Sequence, residues 1–210
     1  MAKTTVTVSR KARTLEDTFP WILVIGGLLG FYASFILTLD KIKLIENPKI
    51  ALNCNLNPLL NCTSVIKTAQ ASAFGFPNSL IGIGGFAVVT AIGMAMLAGL
   101  KPGQLKRWFW IGLEIGTIFG VGLVHWLFFE TVYRIHALCP YCMVVWSVTI
   151  PLFLYTTLYN IRTGVIKVPA KLKGLAAFIG KHHGDVLLLW FLIIAGLILN
   201  HFWYFWKTVI

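Results

Sequence analysis

Four cysteines are the residues of this 210-residue chain whose type and spacing could do chemistry. Seven residues separate Cys54 from Cys62, whereas Cys139 and Cys142 form a Cys-Pro-Tyr-Cys motif. Thiols three residues apart lie on one face of a helix and can close into a disulfide. Pro140 suits the first position of a helix, and the partial positive charge of a helix N-terminus favours a thiolate. The motif therefore predicts a reversible dithiol, with Cys139 as cap residue and Cys142 one turn deeper.

Metal binding, haem attachment and static bracing are other uses of four cysteines. Zinc sites often combine two closely spaced cysteine pairs, but the spacing of Cys54 and Cys62 supplies no second Cys-x-x-Cys motif. Covalent haem attachment needs a histidine after the second cysteine, where this chain has Met143. A zinc site and two static disulfides therefore stay open as alternatives to a redox pair.

The composition excludes an ordinary soluble domain. Hydrophobic residues make up 58% of the chain and charged residues only 12%, against about 25% charged in typical globular proteins. Such a chain belongs in a bilayer, which also excludes a disordered chain and a secreted disulfide scaffold. The net charge of +11 does not indicate nucleic-acid binding, because the basic residues flank apolar runs, where membrane orientation uses them.

Long apolar runs must position the cysteines. Crossing roughly 30 Å of hydrocarbon takes about 20 helical residues, and runs of this length form helices, because barrel strands would alternate over about 10 residues. The sequence predicts an all-α membrane protein, a four-helix transmembrane bundle plus a fifth transmembrane helix. The five predicted spans are Phe19–Leu39, Asn78–Leu100, Trp108–Phe129, Leu138–Tyr159 and Asp185–Trp206.

The distribution of basic residues predicts the orientation. Twelve of the 18 Lys and Arg residues fall in segments on the side of the N-terminus, and cytoplasmic segments carry such an excess. We expect a plasma-membrane protein with a cytoplasmic N-terminus and with all four cysteines outside, where disulfides persist. The predicted organisation is a cytoplasmic tail (1–18), a catalytic bundle (19–160) with an outer loop (40–77), a cytoplasmic basic loop (161–184) of topological role, and a fifth helix with the C-terminus (185–210).

The outer loop contains turn chemistry followed by a short helix. Segment 53–58 is rich in Asn and predicts a flexible turn that could move between two contacts. Thr63 or Ser64 can cap a short helix that carries Val65 and Ile66 on one side. We expect this helix to cover the mouth of the bundle as a lid. The alternative is a surface amphipathic helix without a catalytic role.

These motifs resemble the vitamin K epoxide reductase family. The likeness rests on the loop cysteine pair with Val65 and Ile66 after it, on F-G-F-P-N-S-L-I-G entering the second helix, and on L-C-P-Y-C at the fourth. It covers roughly residues 19–160, and the chain is most similar to the bacterial stand-alone members. Since no thioredoxin domain follows the fifth span, we expect the partner to act in trans.

The resemblance implies a disulfide relay that ends at a quinone of the menaquinone or ubiquinone type. Cys142 would face the quinone, with Cys139 as its resolving partner. Cys62 would exchange with Cys139, and Cys54 would meet an extracytoplasmic thioredoxin-fold partner. The residues expected around the quinone are Asn78, as hydrogen-bond donor, with Trp146, Val65, Ile66 and Ile81. The implied function is a quinone-dependent thiol oxidoreductase that generates disulfides.

Some residues leave alternatives open. Trp146 stands where vertebrate members carry a tyrosine, and an indole N–H can donate but not accept, which disfavours epoxide reduction more than quinone reduction. Asn78 could instead cap its helix. His125, an ionisable residue inside the third span, is a candidate proton donor to the quinol, and Glu114 is expected to be structural. A quinone or epoxide reductase supplied with thiols by a partner, and a metal-handling or transport protein, are the alternative functions.

Overall fold

The protein is helical wherever its structure is described. The computed structural model describes residues 10–100 and 102–209, and it is 79% helical with no strand in these residues. The all-α prediction is thus confirmed. The α-helices of the described residues are α1 (Arg10–Glu46), α2 (Cys62–Ile66), α3 (Asn78–Leu97), α4 (Arg107–Phe129), α5 (Pro140–Arg162), α6 (Lys173–Lys181), α7 (His183–His201) and α8 (Trp203–Val209).

Five helical segments of the described residues are long and apolar enough to cross a bilayer, as predicted. They are Leu15–Glu46, Asn78–Leu97, Arg107–Ile135, Pro140–Arg162 and His183–His201. The first continues beyond its predicted end at Leu39, and Asp40 and Lys43 form an ion pair along this added turn, 3.6 Å apart. Its 32 residues extend about 48 Å at 1.5 Å per residue. Because this exceeds the roughly 30 Å hydrocarbon layer, α1 reaches into the headgroup region.

Helix α1 packs along both α3 and α5, and α4 packs along α5. Small residues allow these close approaches. A Cβ atom on Gly30 would lie 2.5 Å from the ring of Phe86, and one on Gly93 would lie 2.8 Å from Leu23. In contrast, α3 and α4 barely touch. This leaves a gap between them on one side of the bundle.

A buried carboxylate ties α4 to α5. Glu114 is 6% exposed and accepts hydrogen bonds from Thr157 Oγ1 at 2.6 Å and from Asn160 Nδ2 at 2.8 Å. A buried charge is tolerated when hydrogen bonds satisfy it. The structure thus places Glu114 in an interhelical network.

The predicted fifth span, Asp185–Trp206, is wrong at its end. Helix α7 stops at His201, and α8 begins only at Trp203. Between them Phe202 is fully buried in a cluster with Val132 and Trp146. Full burial of a phenylalanine side chain is worth about 1.5–3 kcal/mol, which favours a turn at this position.

Candidate thiol redox site

The loop cysteines lie together beside the bundle as a disulfide. Cys54 and Cys62 are bonded through their sulfurs, with their Cα atoms 5.7 Å apart, and both are buried. Asn55 braces the loop that this bond closes, because its Nδ2 donates to Thr63 Oγ1 at 2.8 Å and its Oδ1 accepts from Thr63 N–H at 3.2 Å. Asn57 Oδ1 also accepts two backbone N–H bonds. Side-chain hydrogen bonds of its own asparagines therefore hold the turn in this conformation.

Helix α2 begins at Cys62 itself. The sequence predicted Thr63 or Ser64 as the cap, and this is wrong. Asn61 is the cap, since its Oδ1 accepts from Ser64 N–H at 3.0 Å. An asparagine satisfies an orphan N–H at a helix start as well as a serine does. The consequence is that the reactive sulfur of Cys62 is fixed at the first residue of a capped helix.

A short backbone bridge brings the two cysteine pairs together. Leu60 and Leu138 form an isolated parallel bridge, in which Leu138 N–H donates to Leu59 C=O at 2.8 Å and Asn61 N–H donates to Leu138 C=O at 2.9 Å. Each bridge residue lies one or two positions before a cysteine. As a result, the thiol of Cys139 donates to the sulfur of Cys62 across 3.4 Å.

The Cys-Pro-Tyr-Cys motif starts α5 as predicted. Cys139 is the N-cap residue, with an extended backbone, and Pro140 is the first helical residue. Cys139 and Cys142 are free thiols in this structure, the first buried and the second partly exposed. Hydrogen bonds from the Cys142 side chain, and from the backbones of Cys142 and Tyr141, hold the pKa of the Cys139 thiol below its usual value, against the opposing effects of burial and of the negative charge of Asp40.

Asp40 is a neighbour of the loop disulfide that the sequence analysis missed. Its carboxylate lies 3.9 Å from the sulfur of Cys54, and the residue is only 7% exposed. The next residue, Lys41, donates to Ile66 C=O at 2.8 Å and so holds the end of α2 against α1. In the sequence, Asp40 directly follows the apolar run of the first predicted span. Its charge therefore indicated only the end of that span, and no motif identified Asp40 as a residue of the thiol site.

A large apolar cavity lies on the inner side of the thiols. Its volume is about 600 Å³. Helices α1, α3, α4 and α5 line it, and α2 and the turn Ala69–Ser72 cover part of it. The sequence-predicted residues that border it are Asn78, Ile81, Trp146, Val65, Ile66 and Cys142. Cys142 is the cysteine of the four that reaches this cavity.

Glycines keep the cavity wide. Gly84 and Gly85 on α3, with Gly112 and Gly116 on α4, line the cavity, and a Cβ atom at any of them would meet nothing within 4 Å. They contribute open space where α3 and α4 separate.

Asn78 forms hydrogen bonds with the turn Ala69–Ser72 and the residue after it, which cover part of the cavity. It is the first residue of α3, and its side chain does not cap that helix. Its Nδ2 donates to Gln70 C=O at 2.7 Å, and its Oδ1 accepts from Ala73 N–H at 3.1 Å. An amide nitrogen carries two hydrogens, so a second N–H remains for a ligand in the cavity.

Glu130 is a second residue that the sequence analysis missed. It is 3% exposed and borders the cavity. Gln70 Nε2 donates to its carboxylate at 3.1 Å, and Arg134 lies 3.5 Å away on the exposed side. The contact joins the turn Ala69–Ser72, which covers the cavity, to the segment Glu130–Ile135 after α4. In the sequence, Glu130 directly follows the apolar run of the third predicted span, so its charge indicated only the start of the next loop.

His125 lies away from the main cavity. Its Nδ1 contacts Val121 C=O at 2.7 Å, and its Nε2 accepts from Trp190 Nε1–H at 2.9 Å. It borders a much smaller space between α4, α5 and α7. This placement makes it a link to the fifth transmembrane helix.

A membrane bundle that holds a disulfide in contact with a free dithiol, next to an apolar cavity, defines a class of membrane thiol oxidoreductase. Residues 21–157 match the sequence model of the vitamin K epoxide reductase family, and the chain belongs to that family. Its members are oxidoreductases that use quinones. A search of curated proteins returned no match.

Proposed function

We propose that the protein is a quinone-dependent oxidase that generates disulfides and passes them to a thioredoxin-fold partner outside the plasma membrane. The observation that carries this proposal is the chain of sulfurs. Cys54 is bonded to Cys62, Cys62 is 3.4 Å from Cys139, and Cys142 borders the cavity. This order supports electron transfer from the loop pair inward.

The cavity has the chemistry that a quinone requires. Its walls are mostly apolar, its width comes from glycine backbones, and Asn78 retains an N–H for a carbonyl oxygen. We propose that Asn78, Trp146, Val65, Ile66 and Ile81 contact the quinone. Bound there, a quinone supplies an acceptor for the two electrons and two protons released when Cys139 and Cys142 close into a disulfide.

Disulfide exchange carries the oxidising equivalents outward. When Cys139 and Cys142 are joined and the loop pair is reduced, the Cys62 thiolate attacks the Cys139 sulfur and Cys142 leaves as a thiolate. Cys54 then attacks Cys62, which releases Cys139 as a thiolate and forms the loop disulfide. The lowered pKa of Cys139 makes it a good leaving group in this second step.

A partner thiolate completes the cycle. It attacks Cys54 and displaces Cys62, and the partner's second thiol then releases Cys54 by forming the partner's own disulfide. Cys54 is 6% exposed, so the partner must displace part of the surrounding loop.

Among the described residues no group of three or more His, Cys, Asp or Glu side chains is arranged to hold a metal ion. The metal-handling alternative therefore gains no support from the geometry. The contact between Cys62 and Cys139 likewise gives the loop disulfide a neighbour with which to exchange, which a static brace does not need.

Serine substitutions of the cysteines test the proposal. With purified protein, a small dithiol and a quinone, Cys139→Ser and Cys142→Ser are expected to abolish quinol formation, measured by absorbance. Cys54→Ser is the matched variant: it should keep turnover with the small dithiol and lose oxidation of a reduced thioredoxin-fold protein. It should also accumulate a Cys62–Cys139 disulfide, detected by peptide mass spectrometry, because its resolving thiol is missing.

Two results would contradict the proposal. Quinone turnover that survives Cys139→Ser would remove the relay altogether. A wild-type enzyme that reduces an oxidised partner with quinol faster than it oxidises the reduced partner with quinone would reverse the proposed direction.

A further inference from the structure

Helix α6 occupies the end of the bundle opposite the cysteines. It lies between the end of α5 at Arg162 and the start of α7 at His183, in a connection for which the sequence analysis predicted only a topological role. Arg162 donates to Gly180 C=O at 3.5 Å, and Ile179 packs on the buried cluster that contains Leu158. The helix is therefore anchored at the level where two transmembrane helices end.

Three apolar side chains of segment 161–184 are exposed. Leu172, Leu175 and Phe178 are 50%, 56% and 58% exposed. At 100° per residue, Leu175 and Phe178 lie about 60° apart around the helix, and Lys173 lies about 140–160° from both. The helix is thus amphipathic: Ile179, at one edge of its apolar side, packs on the bundle, while Leu175 and Phe178 are exposed.

The connection that contains α6 is strongly basic. Segment 161–184 contains no Asp or Glu, and its basic residues are Arg162, Lys167, Lys171, Lys173 and Lys181. The first acid after it, Asp185, is 3.0 Å from His182 Nδ1. Within the described part of the chain, none of the four lysines has an ion-pair partner. Their charge is left for an external anion.

We propose that α6 lies in the headgroup layer and binds anionic phospholipid. Its apolar side chains would enter the boundary of the acyl chains while its lysines contact the lipid phosphates, as interfacial amphipathic helices do. A membrane is favoured over an acidic protein because both ends of the connection are tied to the ends of transmembrane helices. The exposed apolar face is therefore held at the depth of the bilayer surface.

Thermal unfolding of the full chain in detergent micelles tests this binding. Added phosphatidylglycerol is expected to raise the unfolding midpoint more than added phosphatidylcholine does, because a ligand of the folded state stabilises it. The triple variant Lys171→Gln, Lys173→Gln, Lys181→Gln should lose this preference. Its apparent affinity for phosphatidylglycerol should fall about fivefold per lysine, or about 100-fold in all. Replacing the same lysines by Arg should preserve it.

A matched triple variant removes equal charge from lysines outside this segment. Lys49→Gln, Lys67→Gln, Lys207→Gln should retain the preference for phosphatidylglycerol, and each variant is compared with its own lipid-free midpoint. Phe178→Ser should weaken stabilisation by both lipids.

Equal stabilisation by the two lipids, an equal loss in the two lysine variants, or the same shift with inorganic phosphate alone would each overturn the proposal. None of these measurements depends on quinone turnover.

Discussion

At the residue scale, reactivity is concentrated at Cys139. It contacts Cys62 on one side, and on the other it precedes Cys142, which lies in the first turn of α5. Its pKa is lowered by hydrogen bonds from Cys142 and raised by burial and by Asp40. The balance favours the thiolate that disulfide exchange needs.

The influence of Asp40 on Cys139 is testable through pH. A negative charge disfavours a thiolate, so Asp40→Asn should move the midpoint of Cys139 alkylation to lower pH than in the wild type, where it already lies below that of an ordinary thiol. The rate of iodoacetamide labelling of the Cys139 peptide, measured by mass spectrometry across pH, reports this midpoint. Restricted access of the reagent to the buried thiol slows the labelling by the same factor at every pH, so it leaves the difference in midpoint between the two proteins unchanged.

Asp185→Asn serves as the control, because Asp185 lies at the start of α7 and is paired with His182. It removes an equal charge and should leave the Cys139 midpoint unchanged. A midpoint that moves to higher pH in Asp40→Asn would show that the carboxylate acts on Cys139 through something other than its charge.

At the element scale, two helix starts are held face to face. Helix α2 begins at Cys62 under the cap of Asn61, and α5 begins just after Cys139. The bridge between Leu60 and Leu138 joins the segments that lead into them. Capping and bridging are worth only about 1 kcal/mol each, but together they fix the distance between the two sulfurs.

The faces of α4 differ in a way that substitutions can expose. Gly116 lines the cavity and Gly122 does not, while a Cβ atom at either would meet nothing within 4 Å. Gly116→Leu should raise the KM for quinone about tenfold or more by filling the cavity, and Gly122→Leu should leave it unchanged. Steady-state quinone reduction measures both.

The rate of disulfide exchange between Cys62 and Cys139 is the internal control for Gly116→Leu and Gly122→Leu. It should proceed at the wild-type rate in both, because neither glycine contacts the sulfurs. Equal KM values for Gly116→Leu and Gly122→Leu would place the quinone outside the cavity.

At the scale of the whole molecule, the thiols and a buried stabilising network lie in different parts of the bundle. The thiols lie toward the starts of α2 and α5, and the cavity extends from Cys142 along α3 and α4 as far as Trp108 at the start of α4. The stacked rings of Phe19 and Tyr159, 4.3 Å apart, and the Glu114 network lie toward the other end. Stability and turnover should therefore respond to different substitutions.

Glu114→Ala is expected to destabilise the protein and spare its activity. It removes the acceptor for Thr157 and Asn160 in a buried position, at a cost of about 1–3 kcal/mol. Glu114→Gln retains one carbonyl oxygen and should cost less. Thermal unfolding in detergent ranks the three proteins, and quinone turnover per folded molecule should be equal in all of them. A fall in that turnover would assign Glu114 a catalytic role.

The sequence by itself determined the membrane architecture and the chemistry of the cysteines. Apolar runs of about 20 residues specify transmembrane helices because an unpaired backbone cannot exist in lipid. Pro140 after Cys139 specified a helix start because of its missing N–H. Both rules are local, so a single segment contains all the information that they need. The order of Cys54, Cys62, Cys139 and Cys142 likewise supported the family likeness.

Only the tertiary structure decided how the parts meet. The bridge of Leu60 to Leu138, the approach of Asp40 to Cys54 and the contact of Glu130 with Gln70 join residues far apart in sequence. The ends of α1 and α7 also differed from prediction, because α1 continues to Glu46 and the chain turns at the buried Phe202. Such contacts depend on how helices pack, and packing is a property of several segments at once. A hydropathy pattern records each segment alone.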